Sequence, residues 1–355
     1  MTTLKELLIA RIAQTGPLRL SDYMAECLLH PHHGYYTTRD PLGAAGDFTT
    51  APEISQMFGE LLGLCLAQAW IDQGAPQRFT LAEAGPGRGT LMADVLRATK
   101  GVAGFHAAAE ILLIEASPVL RKAQEQRLHG FAPRWIDGFS DLPEQPLFFF
   151  ANEFFDALPI RQFHCDGTAW RERMVGHEGE RLSFGLSPIT PPPAGPAFEQ
   201  PVPGKIAEYC PAAAPMMARL GDLIARHGGA ALIVDYGDWR SSGDTFQALQ
   251  AHRFADPLDA PGQADLTAHV DFEALALASG LAHQFAPQGA FLHGLGIAAR
   301  TAKLAQALSG AAQESHLAAY RRLTHGDEMG SLFKVLGLRG PATPLLAGFE
   351  LHHDA

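Results

Sequence analysis

The stretch Leu81-Ala-Glu-Ala-Gly-Pro-Gly-Arg-Gly-Thr90 decides how the rest of the chain is read. An apolar run over residues 79–84 enters a turn with glycine at 85, 87 and 89, and a helical pattern over residues 90–99 leaves it. Glycines in such a strand–turn–helix allow a tight bend and let a ligand approach the backbone. The usual occupant is a phosphate held on the helix N-terminus. Two details point elsewhere. The dinucleotide fingerprint is G-x-G-x-x-G, whereas here the third glycine is displaced to give G-x-G-x-G. An acidic residue, Glu83, also precedes the first glycine, and a carboxylate repels a pyrophosphate but attracts an ammonium group. S-adenosylmethionine carries both an ammonium and a sulfonium cation. Glu83, Gly85, Gly87 and Gly89 are therefore read as binding residues for that cofactor. A nicotinamide dinucleotide is the rival that the displaced glycine and Glu83 count against.

Outward from this turn, short apolar runs alternate with helical patterns. Residues 111–115, 135–136, 147–151 and 230–235 read as strands, and residues 216–227 as a helix. Ser117 and Pro118 occupy the N-cap and first position of another helix. This order predicts an α/β fold with a parallel sheet covered by helices on both faces, and continuous apolar strands fit that burial. Upstream, Thr50-Ala-Pro-Glu53 has the form of a capping box opening one long helix, with Ile54, Met57, Phe58, Leu61, Leu62, Cys65, Leu66 and Ala69 as its core stripe. Downstream, residues 272–278, 297–308 and 315–323 read as helices and residues 331–338 as a late strand. Seven prolines between residues 186 and 204 predict an extended loop, and residues 256–262 a second loop.

Candidate chemistry clusters at predicted strand ends. Glu115 closes the second strand, where a carboxylate can accept both ribose hydroxyls. Asp137, after the third, is a candidate acceptor for an adenine amino group. Phe148-Phe-Phe-Ala-Asn-Glu-Phe-Phe-Asp-Ala-Leu-Pro159 places Asn152, Glu153 and Asp156 at the carboxyl end of the fourth. Glu153 and Asp156 are three apart, so one helical turn would set them on one face, able to hold a guanidinium by charge-assisted hydrogen bonds. Phe154 and Phe155 would exclude water and stack on it. Asp235 is pocket-facing by position. Asp265 reads as a helix cap in preference to an acid–base partner of His269. His30, His32 and His33 read as a turn under Tyr35 and Tyr36, not as metal ligands.

Composition bounds the rest. The 355 residues carry a net charge of −11 and are 47% hydrophobic, enough for one large domain or two sharing a boundary. An acidic surface disfavours nucleic acid but not a cationic protein partner. Cys27, Cys65, Cys165 and Cys210 form no CxxC pair and read as buried thiols in a reducing compartment. No apolar run is long enough to span a bilayer. Residues 1–14 pattern as an amphipathic helix (Leu4, Leu7, Leu8, Arg11, Ile12), not a secretory signal.

Taken together, His30-Pro-His-His-Gly-Tyr-Tyr36, Gly46-Asp-Phe-Thr-Thr-Ala-Pro-Glu-Ile-Ser55, Glu83–Gly89, Asn152–Pro159, Val234-Asp-Tyr-Gly237, Asp265-Leu-Thr-Ala-His-Val-Asp-Phe272 and Phe333-Lys-Val-Leu336 resemble the MidA-like family of S-adenosylmethionine-dependent methyltransferases through nearly the whole chain. That family includes a mitochondrial complex I assembly factor that methylates an arginine. The resemblance implies a class I methyltransferase fold, Rossmann-like, with a seven-stranded sheet whose last strand is reversed. It implies that Gly46, Asp47 and Phe48 lie near the cofactor with Glu83, Gly85, Gly87 and Glu115. It further implies a protein substrate, with a complex I subunit in view. The expected compartment is the cytoplasm of a bacterium or the mitochondrial matrix. Segments are expected at 1–75 (helical), at 76–285 with 326–340 (sheet domain with a β-rich insertion at 160–208), and at 286–325 (helical). An assembly chaperone with incidental methylation is the alternative that the large accessory segments favour.

Overall fold

The computed structural model describes residues 2–38, 49–340 and 343–349. Gly46, Asp47 and Phe48 lie outside them. The described residues form two compact units, one drawn from Thr49–Phe154, Met216–Gly237 and Leu275–Ala355, the other from Met1–Phe48, Phe155–Pro215 and Asp238–Ala274.

The first unit is built on a twisted sheet. Its strands are β1 (Phe79–Ala84), β2 (Ala109–Ile114), β3 (Arg134–Ile136), β4 (Leu147–Asn152), β5 (Gly229–Asp238), β6 (Ala282–Pro287) and β7 (Phe333–Arg339), in the order β6-β7-β5-β4-β1-β2-β3. β1 lies parallel to β2 and β4, with Leu81 opposite both Ile111 and Phe148. β7 runs antiparallel to β5 and β6, which is the reversed strand expected over residues 331–338. Every residue of β1 and β4 is buried, as continuous apolar runs demand when helices cover both faces. Trp70, Phe79, Phe105 and Phe148 meet at ring separations between 4.9 and 5.8 Å at one end of this core. Each such side chain taken out of water contributes on the order of 1.5–3 kcal/mol. β6, Ala-His-Gln-Phe-Ala-Pro, has no sequence signature of its own. It is the sheet's edge and half-exposed, so no apolar run marks it.

The helices that position the site are α1 (Ala51–Ile54), α2 (Gln56–Asp72), α3 (Thr90–Thr99) and α4 (Pro118–Arg127). The single helix expected from Thr50 is broken in two. Thr50 makes no side-chain cap bond; Ser55 turns extended (φ −158°) and its hydroxyl accepts the Met57 amide, starting α2 afresh. A serine offering the backbone this local bond competes with helix continuation. α2 lies close on α3: a Cβ at Gly63 would stand 2.9 Å from Val95 Cα. The buried Glu60 carboxylate on α2 takes Arg97 at 2.5 Å and Arg300 at 2.7 and 2.9 Å.

The second unit packs helices Leu4–Thr15 and Leu20–Leu29 with an antiparallel sheet of Leu18–Arg19, Trp170–Glu178, Arg161–Cys165 and Ile206–Tyr209, to which Arg181–Ile189 adds at Trp170–Glu178. Thr3 and Glu6 form a full capping box on the first helix, which buries Leu4, Leu8 and Ile12 but leaves Leu7 partly exposed. The first four residues of the proline-rich stretch belong to Arg181–Ile189; the rest is loop with one 3-10 turn at Pro196–Phe198. Residues 238–274, expected with the sheet domain, group here instead. Leu258, Ala264, Leu266 and Ala268 share one apolar cluster with Leu18, Leu20 and Tyr23. Residues 49–75 likewise belong to the sheet unit, because α2 buries its stripe in that core.

Candidate active site

The turn after β1 is where the sheet unit can cradle a ligand. Gly85, Gly87 and Gly89 have φ of +63°, +53° and +77°, the left-handed region that glycine enters without a steric penalty. The Gly85 amide donates to Ile114 O at 3.0 Å, tying the turn to β2. A Cβ on Gly85 would stand 2.9 Å from Cδ2 of Phe154. Glu83 is buried at 2% exposure. Burial pushes its carboxyl up to about 8, opposed by a hydrogen bond from the Met92 amide and reinforced by the Glu115 charge. Its Oε2 has no hydrogen bond among the described residues.

The residue after β2 is wired to that turn. Glu115 Oε1 accepts the Ser117 amide at 2.7 Å, and Oε2 accepts Nε2 of Gln124 at 3.1 Å. The same Nε2 donates to Gly87 O at 2.7 Å. Burial raises the Glu115 carboxyl, and bonds from Ser117 and Gln124 with the Arg121 charge lower it. Ser117 caps α4 as expected, accepting from Leu120 N. Asp137 stands apart: its side chain is 90% exposed and ion-paired with Arg121 at 2.9 Å.

At the end of β4 the expected helical turn does not form. Glu153 takes φ +51°, its amide donates to Val234 O at 2.9 Å, and the Phe154 amide donates to Asp235 Oδ2 at 3.2 Å. These bonds hold an irregular bend in place of a helix, so Glu153 and Asp156 are not paired on one helical face. Glu153 belongs to the sheet unit and Asp156 to the other. In its own unit Asp156 is buried, and its carbonyl accepts the Ala268 amide at 3.0 Å. Glu153 Oε1 accepts the Ala51 amide and Asn152 Nδ2, both at 3.0 Å. Asn152 Oδ1, also buried, has no hydrogen bond among the described residues. Phe154 leans toward Phe139, with centroids 6.1 Å apart, and Phe155 is buried. Asp235, fully buried, braces this bend by accepting the amides of Phe154 and Tyr236.

Two connections were not legible from spacing. Glu53 accepts the hydroxyl of Thr90, the first residue of α3, and Ala51 reaches Glu153, so residues 51–53 bind the glycine turn's helix and the β4 bend together. Gln124 was missed as well, although it left a signal: Leu120, Gln124 and Leu128 form a buried i, i+4, i+8 stripe with an amide at its centre. Asp265, read as a helix cap, lies instead in the strand Asp265–Thr267 and accepts Tyr36 Oη at 2.8 Å. Among the described residues, no three or more His, Cys, Asp or Glu side chains stand together as a metal site, and no helix is long and apolar enough to cross a membrane.

These groups fit S-adenosylmethionine. Glu83 has a buried oxygen with unused capacity where an ammonium would sit, Glu115 offers a held carboxylate after the next strand, and glycines keep side chains out of the bend between them. This strand order and its reversed last strand define a class I methyltransferase fold, the class that takes S-adenosylmethionine as cofactor. Residues 61–290 match the family described as "Putative S-adenosyl-L-methionine-dependent methyltransferase", and the chain belongs to that family. It is 37% identical to the mitochondrial protein arginine methyltransferase NDUFAF7 of Xenopus tropicalis, over 92% of this chain and 83% of that one. The Bos taurus counterpart is 36% identical, over 93% and 82%. A crystal structure of a Burkholderia thailandensis protein described as a "likely methyl transferase", bound to S-adenosylhomocysteine, superposes with a TM-score of 0.82, at 28% identity, covering 97% of this chain and 93% of that one. The family resemblance seen in the sequence motifs therefore holds over the chain.

Proposed function

We propose that this methyltransferase acts on an arginine side chain of a protein, and that Glu153 receives the guanidinium. One observation carries the proposal: a glutamate held in left-handed backbone, with the Ala51 and Asn152 donors converging on one of its oxygens. A non-glycine residue costs about 1–2 kcal/mol in that conformation, and such strain persists where function fixes it. A carboxylate and a guanidinium make strong charge-assisted hydrogen bonds in a fixed geometry. That group is protonated below a pH of about 12 and is a poor nucleophile until it sheds a proton. Glu153 draws the positive charge toward the nitrogens it binds. Asn152 Oδ1 is a ready acceptor for an N–H of the reacting nitrogen, which orients its remaining electron pair. Phe154 keeps water from the bend. When bound, the cofactor supplies a methyl group already activated on sulfur.

For the cofactor we propose Glu83, Gly85, Gly87, Gly89 and Glu115, joined by Gly46, Asp47 and Phe48 as the family resemblance implies. Asp137 is not kept in this set, since its carboxylate is turned to solvent and Arg121. Asp156 enters as a separate substrate-side candidate. The relatives named as mitochondrial arginine methyltransferases support the substrate class, and a net charge of −11 suits an arginine-bearing partner. A subunit of respiratory complex I, in the mitochondrial matrix or its bacterial counterpart compartment, is the finer proposal. Glu153→Gln should bind S-adenosylhomocysteine normally and lose turnover by about 100-fold or more. Mass spectrometry of the NADH dehydrogenase subunits from cells lacking the protein should show an arginine methyl group missing. Full turnover by the Gln variant would remove Glu153 from this role.

A further inference from the structure

We propose that Gln124 is a positioning residue that sets the glycine turn and the Glu115 carboxylate as one unit for cofactor binding. Its side chain is fully buried. All its polar atoms are used: Nε2 donates to Gly87 O at 2.7 Å and to Glu115 Oε2 at 3.1 Å, while Oε1 accepts Trp135 Nε1–H at 2.7 Å. Two donors on one nitrogen beside an acceptor oxygen are what a primary amide provides and what no carboxylate, ammonium or hydroxyl can. The three partners also fix which way round the amide lies. Flipping it would set its oxygen against the Gly87 carbonyl and the Glu115 carboxylate, and its N–H groups against the Trp135 N–H.

Gln124 thus spans the ends of β1 and β2. Through the Gly87 carbonyl it holds the middle of the turn. Through Glu115 Oε2 it completes the fixation that the Ser117 amide begins at Oε1. The α and γ carbons of the same residue also back the turn, since a Cβ at Gly89 would lie 3.5 Å from each of them. A buried polar network with every member satisfied is rigid, and losing one donor exposes the rest to an unmet bond. The proposal rests on Glu115 being a cofactor contact, and its test separates the two.

Titrate S-adenosylhomocysteine calorimetrically, between pH 6 and 8.5, into the wild type, Gln124→Glu, Gln124→Met and Glu115→Gln, and compare each variant with wild type at the same pH. That ratio cancels the titration of Glu83 for Gln124→Met, which keeps the local charge. Glu115→Gln removes a charge that raises the Glu83 carboxyl, so it is read at pH 6, where Glu83 stays protonated. Gln124→Glu sets a second carboxylate against Glu115 and the Gly87 carbonyl, with Arg121 the cation nearby. Its affinity should fall roughly tenfold or more at pH 8 and recover most of the loss at pH 6, where the two carboxyls share a proton and regain a donor. Gln124→Met, close in shape and without donors, should weaken binding at every pH without recovery. It serves also if the Glu variant folds poorly. If both Gln124 variants bind like wild type while Glu115→Gln is impaired, Gln124 does not position the site. If Glu115→Gln itself binds like wild type, Glu115 is no cofactor contact and the proposal falls with it. Equal loss at all pH values for the Gln124→Glu and Gln124→Met variants would reduce Gln124 to packing and also overturn it.

Discussion

The turns after β1 and after β4 make the same backbone demand and meet it differently. Both bend a fully buried strand into left-handed conformation at its carboxyl end. After β1 the positions are Gly85, Gly87 and Gly89; after β4 the position is Glu153. The first turn is bare: Phe154 already stands where a Gly85 side chain would be, and in the proposed role a ligand reaches its backbone. The second, which in the proposed role presents a carboxylate, keeps a side chain in a conformation that disfavours one. It holds that residue with the Val234 carbonyl, the Ala51 amide and Asn152. In the proposed roles, backbone strain is thus avoided where the main chain would be the binding surface and accepted where a side chain would be.

The largest expected effect comes from giving the first turn a side chain. Gly85→Val puts a β-branched residue at φ +63° and drives its Cβ to within 2.9 Å of the Phe154 ring. S-adenosylhomocysteine affinity, by calorimetry, should fall about 100-fold or more, with a lower melting temperature. Near-normal binding would mean that the ligand does not use this bend. Complex assembly that survives in cells carrying this variant would favour the chaperone alternative over the enzyme.

A second difference between the turns is protonation. Glu83, beside the bare turn, titrates at about 8 in the fold against an ordinary value of 4.5. As pH rises from about 4.5 toward 8, the unfolded chain has lost this proton and the native protein still holds it. Native protein binds more protons across that window, so this carboxyl makes stability fall with rising pH there. Glu83→Gln should flatten that fall in thermal melts. An ammonium placed on Glu83 favours its charged form, so ligand binding at pH 7 should release up to about one proton from wild type and none from the variant. Calorimetry in two buffers of different ionisation enthalpy counts it; equal release from both proteins would detach the ammonium from Glu83.

How far the sequence could be read follows from the same contrast. The glycine turn was legible because its requirement is local: only glycine is free at φ > 0, and an apolar strand and a helix flank it. β1 to β5 and the reversed β7 were legible as apolar runs, whereas edge strand β6, half-exposed, had none. The β4 bend was misread as a helical turn, since nothing in Asn152-Glu-Phe-Phe-Asp156 announces that Val234 and Asp235, some eighty residues on, hold its amides. The roles of Ala51 and Glu53 were hidden for the same reason. Each acts through a partner distant in the chain, and a hydrogen bond of that kind leaves no period or spacing behind.

The smallest effect is the sharpest test of the contrast, because it inverts an ordinary rule. Glu153→Ala and Glu153→Gly both delete the carboxylate and with it the bonds from Ala51 and Asn152, so that loss cancels between them. What remains is the backbone. At a common φ, alanine is the more stabilising residue by roughly 0.5–1 kcal/mol, because glycine loses more freedom on folding. At φ +51° the alanine β carbon is strained, and glycine is not. The glycine variant should therefore be the more stable of the two by about 1 kcal/mol in denaturant melts, while neither turns over. An alanine variant equal to or better than glycine would show that the bend relaxes once the carboxylate is gone. Glu153 would then be held by its side-chain bonds alone, and the two turns would differ in chemistry without differing in strain.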